Sequence, residues 1–169
     1  MFSKEQFSRR GALGALVLVA LGGSVLLAQN FRLSAQEQKN REIADREMRE
    51  ILQYGHLDVA NEVMAESYIQ HNPNVPNGRA GFLKAMGNRK PDELKPGWKN
   101  PPSLVITSGP FVLYMFDRKD KDPDDPSKQY SWNHFDMLRV ENGKIQEHWD
   151  EVEKNAPAGR EGGARAPGQ

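Results

Sequence analysis

Apolar positions recur with a helical period in the first part of the chain and with the period of strands afterwards. From residue 34 they are three or four residues apart with charged residues between them, which predicts a helix that Gly55 ends. Asp58 is placed to cap a second, short helix, and residues 79–88 predict a third. The apolar positions of these helices are Ile43, Met48, Ile51 and Leu52, then Val59, Val63 and Met64, then Phe82, Leu83 and Met86.

Strands joined by loops are predicted for the second half of the chain. Residues 90–102 contain four prolines and predict a connecting loop. Short apolar runs at 104–106 and 111–116 predict strands on either side of a Gly109-Pro110 turn, and residues 117–128 predict a charged loop. Helices followed by antiparallel strands predict an α+β fold, in which one curved sheet wraps over the helices and leaves a pocket between the layers.

The last two predicted strands, 130–140 and 144–152, form a hairpin around Asn142-Gly143. A two-residue turn pairs Leu138 with Glu147, Asp136 with Trp149 and His134 with Glu151. Because side chains alternate, one face carries Tyr130, Trp132, His134, Asp136, Leu138, Val140, Ile145, Glu147 and Trp149. The other face carries Phe135, Met137, Arg139, Gln146, His148 and Asp150. An apolar lining with a few polar groups makes the first face the predicted pocket wall, although a bulge at the turn would exchange the two sets.

Composition narrows the classes of function. The chain has 169 residues, with 23 basic and 23 acidic side chains and no formal net charge. This balance gives no electrostatic argument for nucleic acid, and the length fits one domain. Cysteine is absent, which excludes disulfides, thiol catalysis and cysteine metal sites.

The N-terminus has the pattern of an export signal. Lys4, Arg9 and Arg10 precede an uncharged apolar run at 11–28, and residues 8–13 resemble a twin-arginine signal. Cleavage is predicted after Ala28 or Ala35. The large residues Leu26 and Leu33 lie where small ones are preferred, so an uncleaved membrane anchor is the alternative. We therefore expect a signal or anchor at 1–35, a periplasmic or secreted domain at 36–154 and a disordered tail at 155–169.

Asp136 and His134 are the candidates for acid–base chemistry. A carboxylate among aromatic rings loses solvation, so we expect the pKa of Asp136 to be raised toward neutrality, with His134 orienting a substrate. The alternative is that the two side chains simply pair with each other or with Arg or Lys near the edge of the sheet. His71, at the end of a helical segment, is predicted to close the pocket mouth. The predicted register divides the titratable groups of the hairpin between two faces, so no metal site is expected.

Two segments resemble the SnoaL-like branch of the nuclear transport factor 2-like (NTF2-like) superfamily. They are Tyr68-Ile69-Gln70-His71-Asn72-Pro73 with the following 77–82, and the stretch 135–145 with Glu147-His148-Trp149-Asp150. The resemblance implies a cone-shaped α+β barrel with a deep pocket, often dimeric through its sheet. It also implies cyclases that close a ring by aldol condensation without a metal or an organic cofactor. Asp136 matches their acid–base aspartate, and Asp150 is the competing choice.

These observations lead to one main hypothesis and two rivals. The main hypothesis is an exported enzyme that isomerises or cyclises a small carbonyl compound and needs no cofactor. The rivals are a non-catalytic module that binds a small apolar ligand, and a domain that only dimerises. The predicted partners are that small ligand and a second copy of the chain, without nucleic acid. The predicted site comprises catalytic Asp136, His134 and His71, with His148 and Asp150 as alternatives, and substrate-binding Tyr68, Asn72, Trp132, Glu147 and Trp149.

Overall fold

The computed structural model describes residues 32–152. The predicted export signal or anchor and the predicted C-terminal tail therefore lie outside the described residues, apart from the last few positions of the signal region. Between residues 32 and 152, no helix combines the length and the apolar character needed to cross a membrane.

Helices form the first layer. Helix α1, Ala35–Asp45, continues directly into a π-helical segment, Arg46–Gln53. Gly55 follows it with φ +79° and donates its N–H to the carbonyl of Ile51, as expected for the residue that ends a helix.

Two shorter helices complete this layer. The 3-10 turn Leu57–Val59 leads into α2, Ala60–Val63, and α3 is Arg79–Met86. The prediction that Asp58 caps the second helix is wrong, because Asp58 lies inside the 3-10 turn and no side chain caps that turn.

Five strands form one sheet in the order β1-β5-β4-β3-β2. They are β1 Met64–Gln70, β2 Leu104–Ser108, β3 Phe111–Lys121, β4 Gln129–Glu141 and β5 Lys144–Asp150. β1 runs parallel to β5, and the other neighbours are antiparallel. Two predictions are wrong here. His71 follows a strand rather than a helix, and residues 117–121 of the predicted loop extend β3 because they pair with the start of β4.

The helices cover one face of the sheet, which we call the inner face. Its side chains form the core with α1 and the π-helical segment. They include Val112, Tyr114, Phe116, Leu138, Val140 and Ile145. The opposite, outer face leaves large apolar side chains exposed. They include Ile69, Leu104, Ile106, Phe111 and Phe135.

One extra residue in β5 decides which side chains of the hairpin point inward. Asn142 (φ +53°) and Gly143 (φ +71°) form the predicted turn, and Val140 pairs with Ile145 as expected. Beyond this pair, Arg139 is opposite Glu147, so Gln146 is a bulge.

The bulge shifts every later pair by one residue. Leu138 is opposite His148, Met137 is opposite Trp149 and Asp136 is opposite Asp150. The predicted pairings of Leu138 with Glu147 and of Asp136 with Trp149 are therefore wrong. The predicted partner of His134 is shifted in the same way, although its side chain still contacts Glu151. As a result, His148 and Asp150 join the inner face, and Glu147 and Trp149 move to the outer face.

Candidate functional site

Polar and ionisable side chains converge between the π-helical segment and the inner face of the sheet. Burial of polar groups without water is unfavourable, so such a concentration calls for a specific explanation. We call the group the interior cluster. Its members are Glu47, Tyr68, Asn72, His134, Asp136, His148 and Asp150.

Asp136, 5% exposed, is held by two histidines. Its Oδ1 lies 2.9 Å from Nε2 of His148, and its Oδ2 lies 3.2 Å from Nε2 of His134. Burial by itself raises the pKa of Asp136, but the hydrogen bonds and charges of both imidazoles outweigh it and hold the pKa below its ordinary value. The expected upward shift is wrong, and Asp136 is an ionised carboxylate. Asp136 and His134 do contact each other, as both the acid–base prediction and its alternative allow.

His148 lies between two carboxylates and is 2% exposed. Burial lowers its pKa, but the hydrogen bond to Asp136 and the negative charges of Glu47 and Asp136 outweigh burial and raise the pKa well above its ordinary value. Glu47 is fully buried, and its Oε1 is 3.2 Å from Nδ1 of His148. That contact has the length of an ion pair but not the angle of a regular hydrogen bond. Nδ1 and both oxygens of Glu47 therefore have no hydrogen-bond partner among the described residues.

Asp150 and Tyr68 border the same region. Nδ2 of Asn72 donates to Oδ2 of Asp150 at 3.0 Å, whereas Oδ1 of Asp150 is buried and accepts no hydrogen bond from the described residues. Burial and then the nearby carboxylates raise the pKa of Tyr68 well above its ordinary value. The phenol is therefore neutral, and it donates to Oε1 of Gln70 at 3.0 Å.

A line of contacts connects the interior cluster to the surface. It runs from Glu47 through His148 and Asp136 to His134, whose Nδ1 is 2.9 Å from Oε1 of the exposed Glu151. Alternating carboxylates and imidazoles at these distances can pass protons between the interior and solvent.

Trp132 lies beside the solvent end of this line. Its ring is nearly perpendicular to that of His134, with ring centroids 6.0 Å apart. Its Nε1 donates to Asp120 at 2.6 Å, so the predicted substrate-binding side chain is fixed in place by a neighbouring strand.

Three of the predicted site residues lie on the outer face. The ring of His71 stacks on Trp149 with centroids 4.4 Å apart, and its Nε2 is 2.8 Å from Oε2 of Glu147. Glu147 also accepts a hydrogen bond from Nε of Arg139 at 2.6 Å. The sheet separates His71, Glu147 and Trp149 from Asp136, because alternation along β1 turns His71 outward and the bulge turns the other two outward.

The same architecture is found in solved structures. A provisionally named polyketide cyclase from Bacillus cereus superposes with a TM-score of 0.50 at 21% identity, over 70% of this chain and 78% of that one. A provisionally named SnoaL-like polyketide cyclase from Jannaschia sp. CCS1 superposes with a TM-score of 0.50 at 18% identity, over 71% of this chain and 90% of that one. The chain has the SnoaL-like, NTF2-like fold. No protein-family model and no curated protein matches the sequence.

At these identities the likeness establishes the NTF2-like fold and not an activity. The predicted α+β fold is confirmed. The chemistry open to this chain depends on the interior cluster, which offers an ionised carboxylate fixed by two imidazoles, a neutral phenol and a route for protons to the surface.

Glu47 is the member of the interior cluster that sequence reasoning missed. Within a helix rich in charged residues, one more glutamate looks like part of the solvent-facing side. The spacing of Glu47 indicates that it is buried, since it lies three residues after Ala44 and four before Ile51. Both of these residues are fully buried. A charged residue in phase with the apolar face of a helix is therefore worth treating as a site candidate.

Proposed function

We propose that this protein is an exported enzyme that carries out acid–base chemistry on a small carbonyl compound, giving isomerisation or aldol-type ring closure. The observation that carries the proposal is the buried, ionised Asp136 between His134 and His148. A structural core does not need this arrangement, whereas proton transfer does.

The proton acceptor is the pair formed by Asp136 and His134 rather than an isolated carboxylate. A carboxylate with a lowered pKa is a weak base by itself, but it orients a neighbouring imidazole and stabilises the imidazolium that forms when the imidazole takes a proton. His134 would take the proton from the carbon next to the carbonyl at Nδ1, after the substrate displaces the exposed carboxylate of Glu151 from that nitrogen, and Glu151 would then exchange the proton with solvent. Tyr68 and Asn72 would donate to the developing enolate oxygen in place of their present acceptors, Gln70 and Asp150.

A non-catalytic module that binds a small ligand is the second candidate. The lowered pKa of Asp136 favours it, because a carboxylate held ionised by two imidazoles is a weak base that can bind a polar ligand without taking a proton from it. In that case the cluster would bind polar groups of a ligand and release it unchanged.

Export and dimerisation complete the proposal. The basic residues and the apolar run before residue 29 support export, and the exposed apolar outer face supports pairing with a second copy. Export is tested by fractionating cells that express the full-length chain and its Arg9→Lys, Arg10→Lys double variant. Retention of the double variant in the cytoplasm supports a twin-arginine signal.

Exchange of carbon-bound protons tests the chemistry without knowledge of the natural substrate. The full-length protein is incubated in D2O with a panel of small ketones and aldehydes, and deuterium uptake next to the carbonyl is followed by NMR. We expect exchange above the buffer rate, and a loss of at least about 100-fold in Asp136→Asn, because general acid–base catalysis contributes about that much. Asp117→Asn, an exposed aspartate on the same sheet, is the matched control and should keep the native rate.

Two results would count against the enzyme. Exchange at the same rate in native protein and Asp136→Asn would remove Asp136 from the mechanism. Binding of carbonyl compounds without any exchange would favour the ligand-binding module.

A further inference from the structure

We propose that the interior cluster binds one divalent transition-metal ion through Asp136, His148 and Asp150. Ligand atoms from these three side chains all lie within 4.8 Å of one another. The hairpin produces this arrangement directly, since Asp136 is opposite Asp150 across the two strands and His148 is two residues before Asp150 on the same face. The reason for expecting no metal, which was the division of these groups between two faces, disappears with the bulge.

Unpartnered buried atoms around the three ligands are the second, independent observation. Oδ1 of Asp150 is buried without a hydrogen bond from the described residues. Glu47, which is fully buried, likewise has no hydrogen-bond partner for either oxygen among the described residues, and Glu47 approaches the ring of His148. Because a buried carboxylate oxygen without a partner is costly, these atoms point to a cationic ligand.

Glu47 also occupies the position of a supporting carboxylate. Histidines that bind metals usually direct their other ring nitrogen at a carboxylate, which fixes the orientation of the ring. Here Nε2 of His148 faces Asp136, and Nδ1 faces Oε1 of Glu47 at 3.2 Å. We therefore assign Glu47 as a positioning residue and not as a ligand.

Charge and ligand type specify the ion. Three buried or half-buried carboxylates, those of Glu47, Asp136 and Asp150, have histidines and an asparagine as their contacts within the described part of the chain. Metal binding would displace the proton from Nε2 of His148, and the divalent cation would then offset the negative charge that this proton balances in the metal-free protein. One imidazole with two carboxylates suits Zn²⁺ or Mn²⁺, whereas Mg²⁺ and Ca²⁺ prefer oxygen ligands alone.

This inference shares its residues with the proposed function but goes beyond the proposed reaction, since it concerns what the cluster binds and not what it converts. The binding experiment contains no carbonyl compound. Failure to bind metal would leave the acid–base proposal standing, and failure to exchange protons would leave the metal site standing.

Calorimetric titration tests the site. Full-length protein without an affinity tag is treated with a chelator, dialysed and titrated with ZnCl2 and, separately, with MgCl2. We expect one Zn²⁺ per chain and much weaker binding of Mg²⁺. Asp150→Asn should weaken Zn²⁺ binding at least tenfold, and Glu47→Gln should weaken it by about 10- to 100-fold, the usual effect of removing a supporting carboxylate. Asp117→Asn is the matched control and should bind as the native protein does.

Histidine ring signals in NMR spectra locate the ion and check folding at the same time. Zn²⁺ should shift or broaden the signals of His148 and leave those of His56 unchanged, because His56 contacts Asp92 at a distant, more exposed position. Unchanged His56 signals in each metal-free variant show that it is folded. The proposal is overturned if Zn²⁺ binds Asp150→Asn as tightly as native protein, if it perturbs His56 or His71 instead of His148, or if native protein does not bind it.

Discussion

Asp136 and His148 carry opposite charges in the interior because each is the other's partner. Neither charge would be stable alone at that depth, since burial opposes ionisation of both groups. Removal of one partner leaves a buried charge uncompensated, which typically costs about 3–5 kcal/mol. Asp136→Asn keeps the shape of the side chain but removes its charge, so its loss of activity has to be compared with its unfolding free energy.

Stability should fall on both sides of neutral pH. His148 has a raised pKa, so its stabilising contribution is fully present below its unfolded value of about 6.5 and is lost as pH rises through the folded pKa. Asp136 has a lowered pKa, so its contribution is present above about 3.9 and is lost as pH falls through the folded pKa. Urea unfolding of chelator-treated protein between about pH 3 and 9 measures both limbs.

Glu47→Gln isolates the alkaline limb. Loss of the second carboxylate should lower the pKa of His148, so the fall in unfolding free energy should end at a lower pH and be smaller in total, while His56→Gln should leave both limbs unchanged. A ring of His148 that titrates at or below about 6.5 in the native protein would refute this account.

Individual residues of the site were predictable from the sequence, but their protonation states were not. Asp136, His134, His148 and Asp150 are recognisable because a buried hairpin does not need so many titratable groups. The direction of the Asp136 pKa shift depends on two imidazoles that only the folded register places at 2.9 and 3.2 Å. From the sequence, only the loss of solvation could be estimated, and it raises the pKa of Asp136. The hydrogen bonds and charges of the two imidazoles lower that pKa by more.

Among the elements, the hairpin was predictable and its bulge was not. The Asn142-Gly143 pair predicts the turn, because a turn of this type needs positive φ at both residues and Asn and Gly adopt it readily. Gln146 has no comparable signature, and its amide simply donates to the carbonyl of Glu141. Strand β1 was missed for a different reason. It forms a parallel pair with β5, about 80 residues away along the chain. The local sequence of β1 therefore contains no turn or hairpin signal that would predict it.

Deletion of Gln146 should be tolerated about as well as its substitution. Without the extra residue, regular pairing would still place Arg139 opposite Glu147 and Asp136 opposite Asp150, so His148 and Asp150 would stay in the interior cluster. We expect the deletion and Gln146→Thr to lower the free energy of unfolding by similar amounts, each less than about 2 kcal/mol, because neither change moves a buried charge. Chemical denaturation of both variants measures this, and a loss above about 3 kcal/mol for the deletion alone would show that the bulge itself positions the interior cluster.

For the whole molecule, the order of elements predicted the α+β fold, but the sheet order required the structure. Nothing local indicates that β1 joins the far side of β5 and leaves β2 at the other edge. The outer face that results is unusually apolar for a surface, with Ile106 48% exposed among other large side chains.

A dimer formed through the outer face should dissociate when a charge is placed among the exposed apolar side chains of that face. Ile106→Lys is expected to convert a dimer of the full-length protein into a monomer in sedimentation velocity, since an unpaired buried charge opposes association. Leu94→Lys changes an equally exposed leucine outside the sheet (42% exposed) and should leave the dimer intact. If the native protein sediments as a monomer, the proposed dimer through the outer face is wrong.

The buried charges of the interior cluster also place thermal stability and the proposed activity in opposition. Ion pairs in a protein interior are often replaced by well-packed apolar side chains at no loss, or even with a gain, in stability. Selection for thermal stability alone would therefore tend to replace Glu47, Asp136 and His148 together. The resulting protein would be more stable and would lack the proposed activity. Screens for improved variants should accordingly score proton exchange or metal uptake beside thermal tolerance, because the residues that weaken this fold most are the ones its proposed activity requires.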